Sequence, residues 1–280
     1  MRIGAHLSIG RGFAGAAREA GALGCEAMQV FSRSPRGGKA KPLDDRDVTG
    51  LKAVLEEAGI RPLVVHAPYY LNLASEDESN YTYSAQVLAG DVVRAAALGA
   101  SFVVTHPGHR PSDGPRGLER LAAAVRAAIE AEPGGVRLLI ENTAGQGREI
   151  GSDLAEIAQI LHLIGMPERT GVCVDTCHAF AAGHDLRDAA GVGRFLGDLD
   201  GAIGFGRVFL MHLNDSVYDV GSKKDRHQHI GRGKIGLDGF RAILNHPRLQ
   251  GLAGVIETPV DDEESNRANL ETLRRLREWR

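Results

Sequence analysis

Short apolar runs rich in Val, Ile and Leu recur along the chain, separated by longer stretches whose apolar positions return every three or four residues. The first pattern reads as buried strand, the second as amphipathic helix. The runs predict strands at Ile3–Leu7, Ala27–Ser32, Pro62–Ala67, Phe102–His106, Arg137–Asn142, Gly171–Asp175, Val208–Leu213 and Gly254–Glu257. The stretches between them predict helices over Gly12–Ala22, Asp45–Ala58, Asn80–Leu98, Leu118–Ala131, Ser152–Ile164, Ala189–Leu199, Leu237–Asn245 and Glu263–Trp279. In the last, Leu270, Leu273 and Leu276 keep i, i+3 spacing, and acids at its start favour the helix dipole. Gly59, Gly99, Gly134, Gly165 and Gly251 stand where helices should stop. No Pro/Ser-rich linker interrupts the alternation. It predicts one domain over 1–280, a (β/α)8 TIM barrel. Elongated βα loops, Arg33–Pro42, Ala67–Ser79 and Asp215–Gly236, would lie on its C-terminal face.

The residues that end these runs add chemistry. His66, His106, Glu141, Asp175, His212 and Glu257 each close a strand. His178 follows Asp175 by three, so one helical turn can put both on one side. Asp225 and His227 are two apart in the long loop before the last strand, and extended chain would point both the same way. Any one of these histidines would ordinarily be a hydrogen-bonded core group. As a set at successive strand ends, they are what a barrel needs to aim many ligands at one point. The donors are too many for one four-coordinate zinc, so the pattern predicts a multinuclear centre and metal-assisted hydrolysis.

At 280 residues, 43% hydrophobic and 25% charged, the chain has the size and composition of a soluble barrel that needs neither disulfides nor oligomerisation. Three cysteines, Cys25, Cys173 and Cys177, lie in apolar contexts and supply no second thiolate pair for a zinc–thiolate site. The N-terminal MRIGAHLSIG enters a strand directly, and no stretch has the length of a membrane span. A cytoplasmic monomer with no membrane and no obligatory protein partner is expected. The net charge of −3 argues weakly against nucleic acid, but three divalent ions would reverse its sign. Two basic loops, Arg33–Lys41 and Lys223–Lys234, fall on the predicted ligand face, where they could meet backbone phosphates.

The segments GVCVDTCH, MHLNDSVYDVGSKKDRHQHIG, VHAPYYLNLAS and IENTAGQG resemble signatures of the endonuclease IV family of apurinic/apyrimidinic endonucleases. The similarity runs from GAHLSIGRGF to IETP, nearly the whole chain. The resemblance implies a DNA-repair enzyme of three zinc ions that hydrolyses the phosphodiester 5′ to an abasic site in duplex DNA and leaves a 3′-hydroxyl. Trimming of blocked 3′ ends would accompany it. On this sequence it assigns His66, His106 and Glu141 to one zinc, and Glu141, Asp175, His212 and Glu257 to a second. The third takes His178, Asp225 and His227. Manganese or iron could replace zinc with such ligands, although the Irving–Williams order favours zinc.

Independently of the family, two ions bridged by Glu141 could hold a hydroxide for in-line attack on phosphorus, which makes Glu141 the catalytic carboxylate. Since His must be neutral to bind metal, activity should fall in mild acid. Arg36 and Tyr69 match family residues that enter the duplex; Tyr70 stands where Leu is usual, and Arg226 belongs to the second basic loop. Two other departures are His106-Pro-Gly-His109, a residue shorter than usual, and Val217, where a basic or polar residue is usual. His6 reads as a supporting histidine, and His162, His184 and His246 as without function. The alternative is a divalent-metal sugar isomerase or epimerase of the xylose isomerase-like barrels. Glu141, Asp175, His212 and Glu257 would suffice for that site and leave the other ligands surplus.

Overall fold

The computed structural model describes residues 1–111, 116–262 and 264–278. Eight parallel strands close into a barrel: β1 (Arg2–Leu7), β2 (Ala27–Phe31), β3 (Leu63–His66), β4 (Phe102–Thr105), β5 (Arg137–Glu141), β6 (Thr170–Asp175), β7 (Val208–His212) and β10 (Ala253–Ile256). β1 pairs with both β2 and β10, which closes the ring. Between β7 and β10, β8 (Asp215–Ser216) and β9 (His227–Gln228) form a small antiparallel ribbon.

The helices follow their strands: α1 (Phe13–Ala22), α2 (Asp45–Ala58), α3 (Glu78–Leu98), α4 (Arg116–Glu130), α5 (Leu154–Ile164), α6 (Thr176–Ala182), α7 (Ala189–Ile203), α8 (Gly236–Asn245) and α9 (Ser265–Leu276). Their starts are chemically marked. The Asp44, Asp77, Asp153 and Asp188 side chains accept N-terminal amides of α2, α3, α5 and α7. Gly59, Gly99 and Gly165 cap C-termini in the left-handed conformation, where a side chain would be strained.

Two predicted stops differ. Gly134 lies beyond the end of α4, and Gly251 follows a short 3-10 turn, Pro247–Leu249, that intervenes after α8. The small helix α6 was legible only as one turn around His178. Both predicted ends of the last helix, Glu263 and Trp279, lie outside the described residues.

Ala27, Val64, Val104, Leu139, Cys173, Leu210, Ala253 and Val255 form an apolar cluster of their own inside the ring. The larger apolar core fills the shell between strands and helices. Successive strand residues alternate in direction, so the residue two positions beyond each interior residue also points inward, one layer higher. That layer is the candidate site.

Candidate metal centre

Counting two positions up from Ala27, Val64, Val104, Leu139, Cys173, Leu210 and Val255 gives Gln29, His66, His106, Glu141, Asp175, His212 and Glu257. On β1 the corresponding pair is Gly4 and His6. A Cβ on Gly4 would lie 1.9 Å from the Ala27 carbonyl oxygen, so only glycine fits below His6. Every barrel strand, or the residue just past it, thus gives one polar side chain to a single ring. His106 and Glu257 fall one residue beyond the ends of β4 and β10. The remaining donors come from outside the barrel. His178 sits on the first turn of α6, whose N-cap is Asp175 itself, with Oδ1 accepting the His178 amide at 2.8 Å. Asp225 and His227 arrive from the β8–β9 segment.

Glu141 occupies the middle, fully buried. Its two oxygens face different partners. Oε2 lies 3.1 Å from His66 Nε2 and 3.3 Å from His106 Nε2. Oε1 lies 3.0 Å from His212 Nδ1 and 3.3 Å from His178 Nδ1. His212 Nδ1 is also 3.2 Å from Glu257 Oε2 and 3.9 Å from Asp175 Oδ2. His178 Nε2 and His227 Nε2 approach the Asp225 carboxylate at 3.2 and 3.4 Å. The donor atoms of His66, His106 and Glu141 lie within 4.8 Å of one another, and so do those of His178, Asp225 and His227. All nine sequence-predicted donors are therefore brought to one place.

The donor set fits cations. Among the described residues, the buried His227 Nε2 makes no hydrogen bond and only faces the Asp225 and Asp175 carboxylates at 3.4 and 3.7 Å. Histidine tautomers are fixed from behind: His66 Nδ1 faces Ala67 O at 2.6 Å, His178 Nδ1 faces Asn142 O at 2.9 Å, and His227 Nδ1 faces Glu257 O at 3.1 Å. A carbonyl only accepts, so each Nδ1 carries the hydrogen and leaves the Nε2 lone pair for the centre. His212 is held the other way round, its Nε2 against Gln29 Oε1 at 2.9 Å.

The charges agree. No Lys or Arg among the described residues pairs with Glu141, Asp175, Asp225 or Glu257, so positive charge must come from protons on the histidines or from metal. Left to protons, burial would raise the Glu141 carboxyl, but His212 and His106 outweigh it and hold it well below the usual range. Burial opposes the charged form of His178 and His212 as well, yet Asp175, Asp225 and Glu141 raise His178, and Cys173, Glu141 and Glu257 raise His212, both well above 6.5. For the thiols of Cys173 and Cys177 burial dominates and pushes each up to about 12, consistent with inert packing groups.

Three supporting residues went unread in the sequence. Gln29 bonds His212 and also donates to Glu257 Oε1 at 2.6 Å, with His6 Nδ1 3.0 Å away on the other side. Its signal was available as the second interior step from Ala27 in AMQVF. Asn214 donates to Asp175 Oδ2 at 2.6 Å and accepts the Glu257 amide at 2.7 Å.

The third, Asp215, is buried and accepts the amides of Ser216, Gly231, Gly233 and Ile235 at 2.8 to 3.0 Å, which folds the segment carrying Asp225 and His227. A Cβ on Gly233 would meet its carboxylate at 2.4 Å, so the loop can wrap this closely only with glycine there. Asp215→Ala should therefore reduce bound metal by one equivalent and activity by about 10- to 100-fold, the usual cost of losing a supporting group. Elemental analysis of purified protein checks this; unchanged stoichiometry would show that the loop is held otherwise.

The exposed face carries the remaining predicted residues. Tyr69 is 60% exposed, and Arg36 and Arg226 are exposed. Tyr70 is half-buried: its ring stacks on Tyr83 with centroids 6.3 Å apart, and the two hydroxyls are 3.3 Å apart. A cleft of about 600 Å³, lined by Val217, Asp225, Arg226, His227 and Glu257 among others, opens beside the donors. A larger cavity of about 890 Å³, between α1 and the start of α9, contains none of them. His162, His184 and His246 belong to none of the donor groups: His184 packs on Phe195, and His246 caps the 3-10 turn. Among the described residues no helix is long and apolar enough to cross a membrane.

The family model described as xylose isomerase-like TIM barrel matches residues 17–279. A probable endonuclease 4 of Methanoculleus marisnigri is 45% identical over 276 residues, 98% of each chain. Another, from Chloroflexus aurantiacus, is 40% identical over 278 residues, again 98% of each. Among solved structures, endonuclease IV from Thermus thermophilus superposes with a TM-score of 0.88 at 38% identity, covering 99% of this chain and 98% of that one. A D-tagatose 3-epimerase-like protein shares the fold at 19% identity and a TM-score of 0.72, covering 99% and 97%. With relatives this similar over its full length, and a ring of inward donors on every strand, the chain belongs to the endonuclease IV family of xylose isomerase-like TIM barrels.

Proposed function

We propose that this protein is a zinc-dependent apurinic/apyrimidinic endonuclease of DNA repair, acting as a cytoplasmic monomer of one domain. It hydrolyses the phosphodiester 5′ to an abasic site in duplex DNA, leaves a 3′-hydroxyl and trims blocked 3′ ends. The observation that carries the reading is the two-sided environment of Glu141, Oε2 facing His66 and His106 and Oε1 facing His212. His66, His106 and Glu141 would hold one zinc, Glu141, Asp175, His212 and Glu257 a second, and His178, Asp225 and His227 a third; manganese or iron could substitute. Such ions supply Lewis-acid charge for the phosphoryl oxygens and a neutral-pH source of the water nucleophile.

The protein's own groups do the rest. Glu141 would be shared by the first two positions, its two oxygens facing opposite sides of the ring. Gln29, Asn214 and the backbone carbonyls orient Asp175, Glu257 and the rings of His66, His178, His212 and His227, so little reorganisation is needed when substrate arrives. Arg36 and Arg226, exposed on the same face, offer guanidinium groups to backbone phosphates. Tyr69, 60% exposed, wedges at the lesion, with the half-exposed ring of Tyr70 beside it. An abasic nucleotide has no base to unstack, which lowers the cost of turning it out of the helix.

The test is an end-labelled duplex carrying one abasic site. Cleavage on the 5′ side to a polymerase-extendable end, with an intact duplex left whole, supports the reading. No cleavage, together with epimerisation of a ketose, would transfer the site to sugar chemistry. Replacing Tyr69 with Ala should lower the preference for abasic over intact duplex about tenfold, in line with the loss of one stacking contact. An unchanged preference would make Tyr69 a packing residue of the rim.

A further inference from the structure

The basic loop after β2 runs from Ser32 to Lys41 and exposes Arg36, Lys39 and Lys41. Its apex is Gly37-Gly38, both at φ 92°, a pair that does little to hold one conformation. What holds the loop comes from α3. Arg94 donates from Nε to Ser32 O and to Ser32 Oγ, both at 3.1 Å, and from Nη2 to Ser32 O at 2.5 Å. Its Nη1 donates to Lys41 O at 2.9 Å. One planar guanidinium therefore ties the first and last residues of the loop together.

One turn earlier, the fully buried Asp91 accepts from Ser32 Oγ at 2.5 Å and from Arg33 Nε at 2.7 Å. The neighbouring helix residue is Gly90, where a Cβ would lie 2.8 Å from Arg33 Nη2. Glycine is unfavourable inside a helix, but here it leaves room for Arg33 to lie flat against α3.

We propose that Arg94 and Asp91 form a clasp on α3 that fixes the Arg33–Lys41 loop, and that both are positioning residues for the DNA phosphates this loop meets. The phosphate part rests on the nuclease reading; the clasp itself does not. A loop held in its binding conformation before encounter avoids the ordering cost of binding, so loosening it weakens substrate capture and leaves the reacting groups untouched. None of the clasp residues belongs to the donor ring. Lysine cannot replace Arg94, because a single ammonium reaches one end of the loop and not both.

The experiment compares wild type with Arg94→Ala and Arg94→Lys by limited trypsin digestion and by steady-state cleavage of an abasic duplex. Trypsin can cut after Arg33, Arg36 and Lys39, and Pro42 protects Lys41. Both variants should be cut within the loop about tenfold faster. KM for the duplex should rise about tenfold with kcat within about twofold, the split expected when binding order is lost and chemistry is kept. Arg94→Lys keeps charge and bulk, and so carries the test should Arg94→Ala fail to fold. Wild-type cutting rates in the folded variants overturn the clasp. Faster cutting with unchanged KM overturns the phosphate-positioning role. If wild type leaves abasic DNA whole, the nuclease reading fails while the trypsin rates still judge the clasp.

Discussion

Glu141→Gln should lower the cleavage rate by at least about 10³-fold while the barrel stays folded, because the amide removes the charge on which the centre converges. In the native centre both oxygens of Glu141 lie 3.0 to 3.3 Å from histidine nitrogens. An amide has one accepting oxygen, and its NH2 would point a donor at the atoms that should share a cation. The fold does not depend on that charge. The apolar layer directly below, Leu139 with Val104 and Cys173, packs the barrel independently of the ring above. Circular dichroism should therefore stay near wild type, and the melting temperature near that of the chelated wild type, while metal content falls. Wild-type-like turnover in this variant would remove Glu141 from the bridging role.

Metal removal should have a comparably large effect on activity and should reverse the pH dependence of stability. His106, His178 and His212 are raised above their ordinary value of 6.5, His178 and His212 by a wide margin. Burial works against the shift in all three; carboxylates overcome it at His106 and His178, and Cys173 with Glu141 and Glu257 overcomes it at His212. A raised histidine gives its full stabilisation below 6.5 and loses it as pH rises through the folded value. Glu141 and Glu257 are held well below 4.5, and Asp225 at about 2 against 3.8, so their contribution is present above the ordinary values and lost only in stronger acid.

Chelated protein should therefore be most stable between about pH 4.5 and 6.5 and melt at lower temperature on going alkaline. Zinc competes with those protons, so its stabilisation should be small near pH 5 and reach about 2.7 kcal/mol at a hundredfold excess over Kd at neutral pH and above. Melting curves with and without zinc across that range check the sign. A zinc increment that is larger in acid would show that the titrating histidines are not the ligands. Activity should follow the zinc increment and decline in mild acid.

Much of this site was legible because strand ends are local features: an apolar run and its last residue lie together in the sequence. His66, Glu141, Asp175 and His212 could be placed at strand ends from pattern alone. The supporting groups depend on which residues share an interior layer across strands far apart in sequence. Gln29 meets His212 across 183 positions and Glu257 across 228. The third donor group was visible by spacing, but not the reason it holds its shape, which is a buried Asp215 gathering four amides from a loop that reads as merely basic and glycine-rich. Helix stops were read well where glycine takes a left-handed cap, at Gly59, Gly99 and Gly165, and misread at Gly134 and Gly251, which belong to turns. Tyr70 illustrates the limit of position matching, since its ring is committed to Tyr83, a partner one loop and a helical turn away.

The most direct test of the account is a zinc titration of chelated protein, with cleavage of a duplex carrying one tetrahydrofuran abasic analogue as the readout. This analogue cannot undergo β-elimination, so a cut leaving an extendable 3′-hydroxyl must be hydrolysis on the 5′ side. Chelated protein should not cut, and activity should recover fully as bound zinc approaches three equivalents. Cutting that survives complete chelation would contradict the three-zinc reading, as would full activity at a single equivalent.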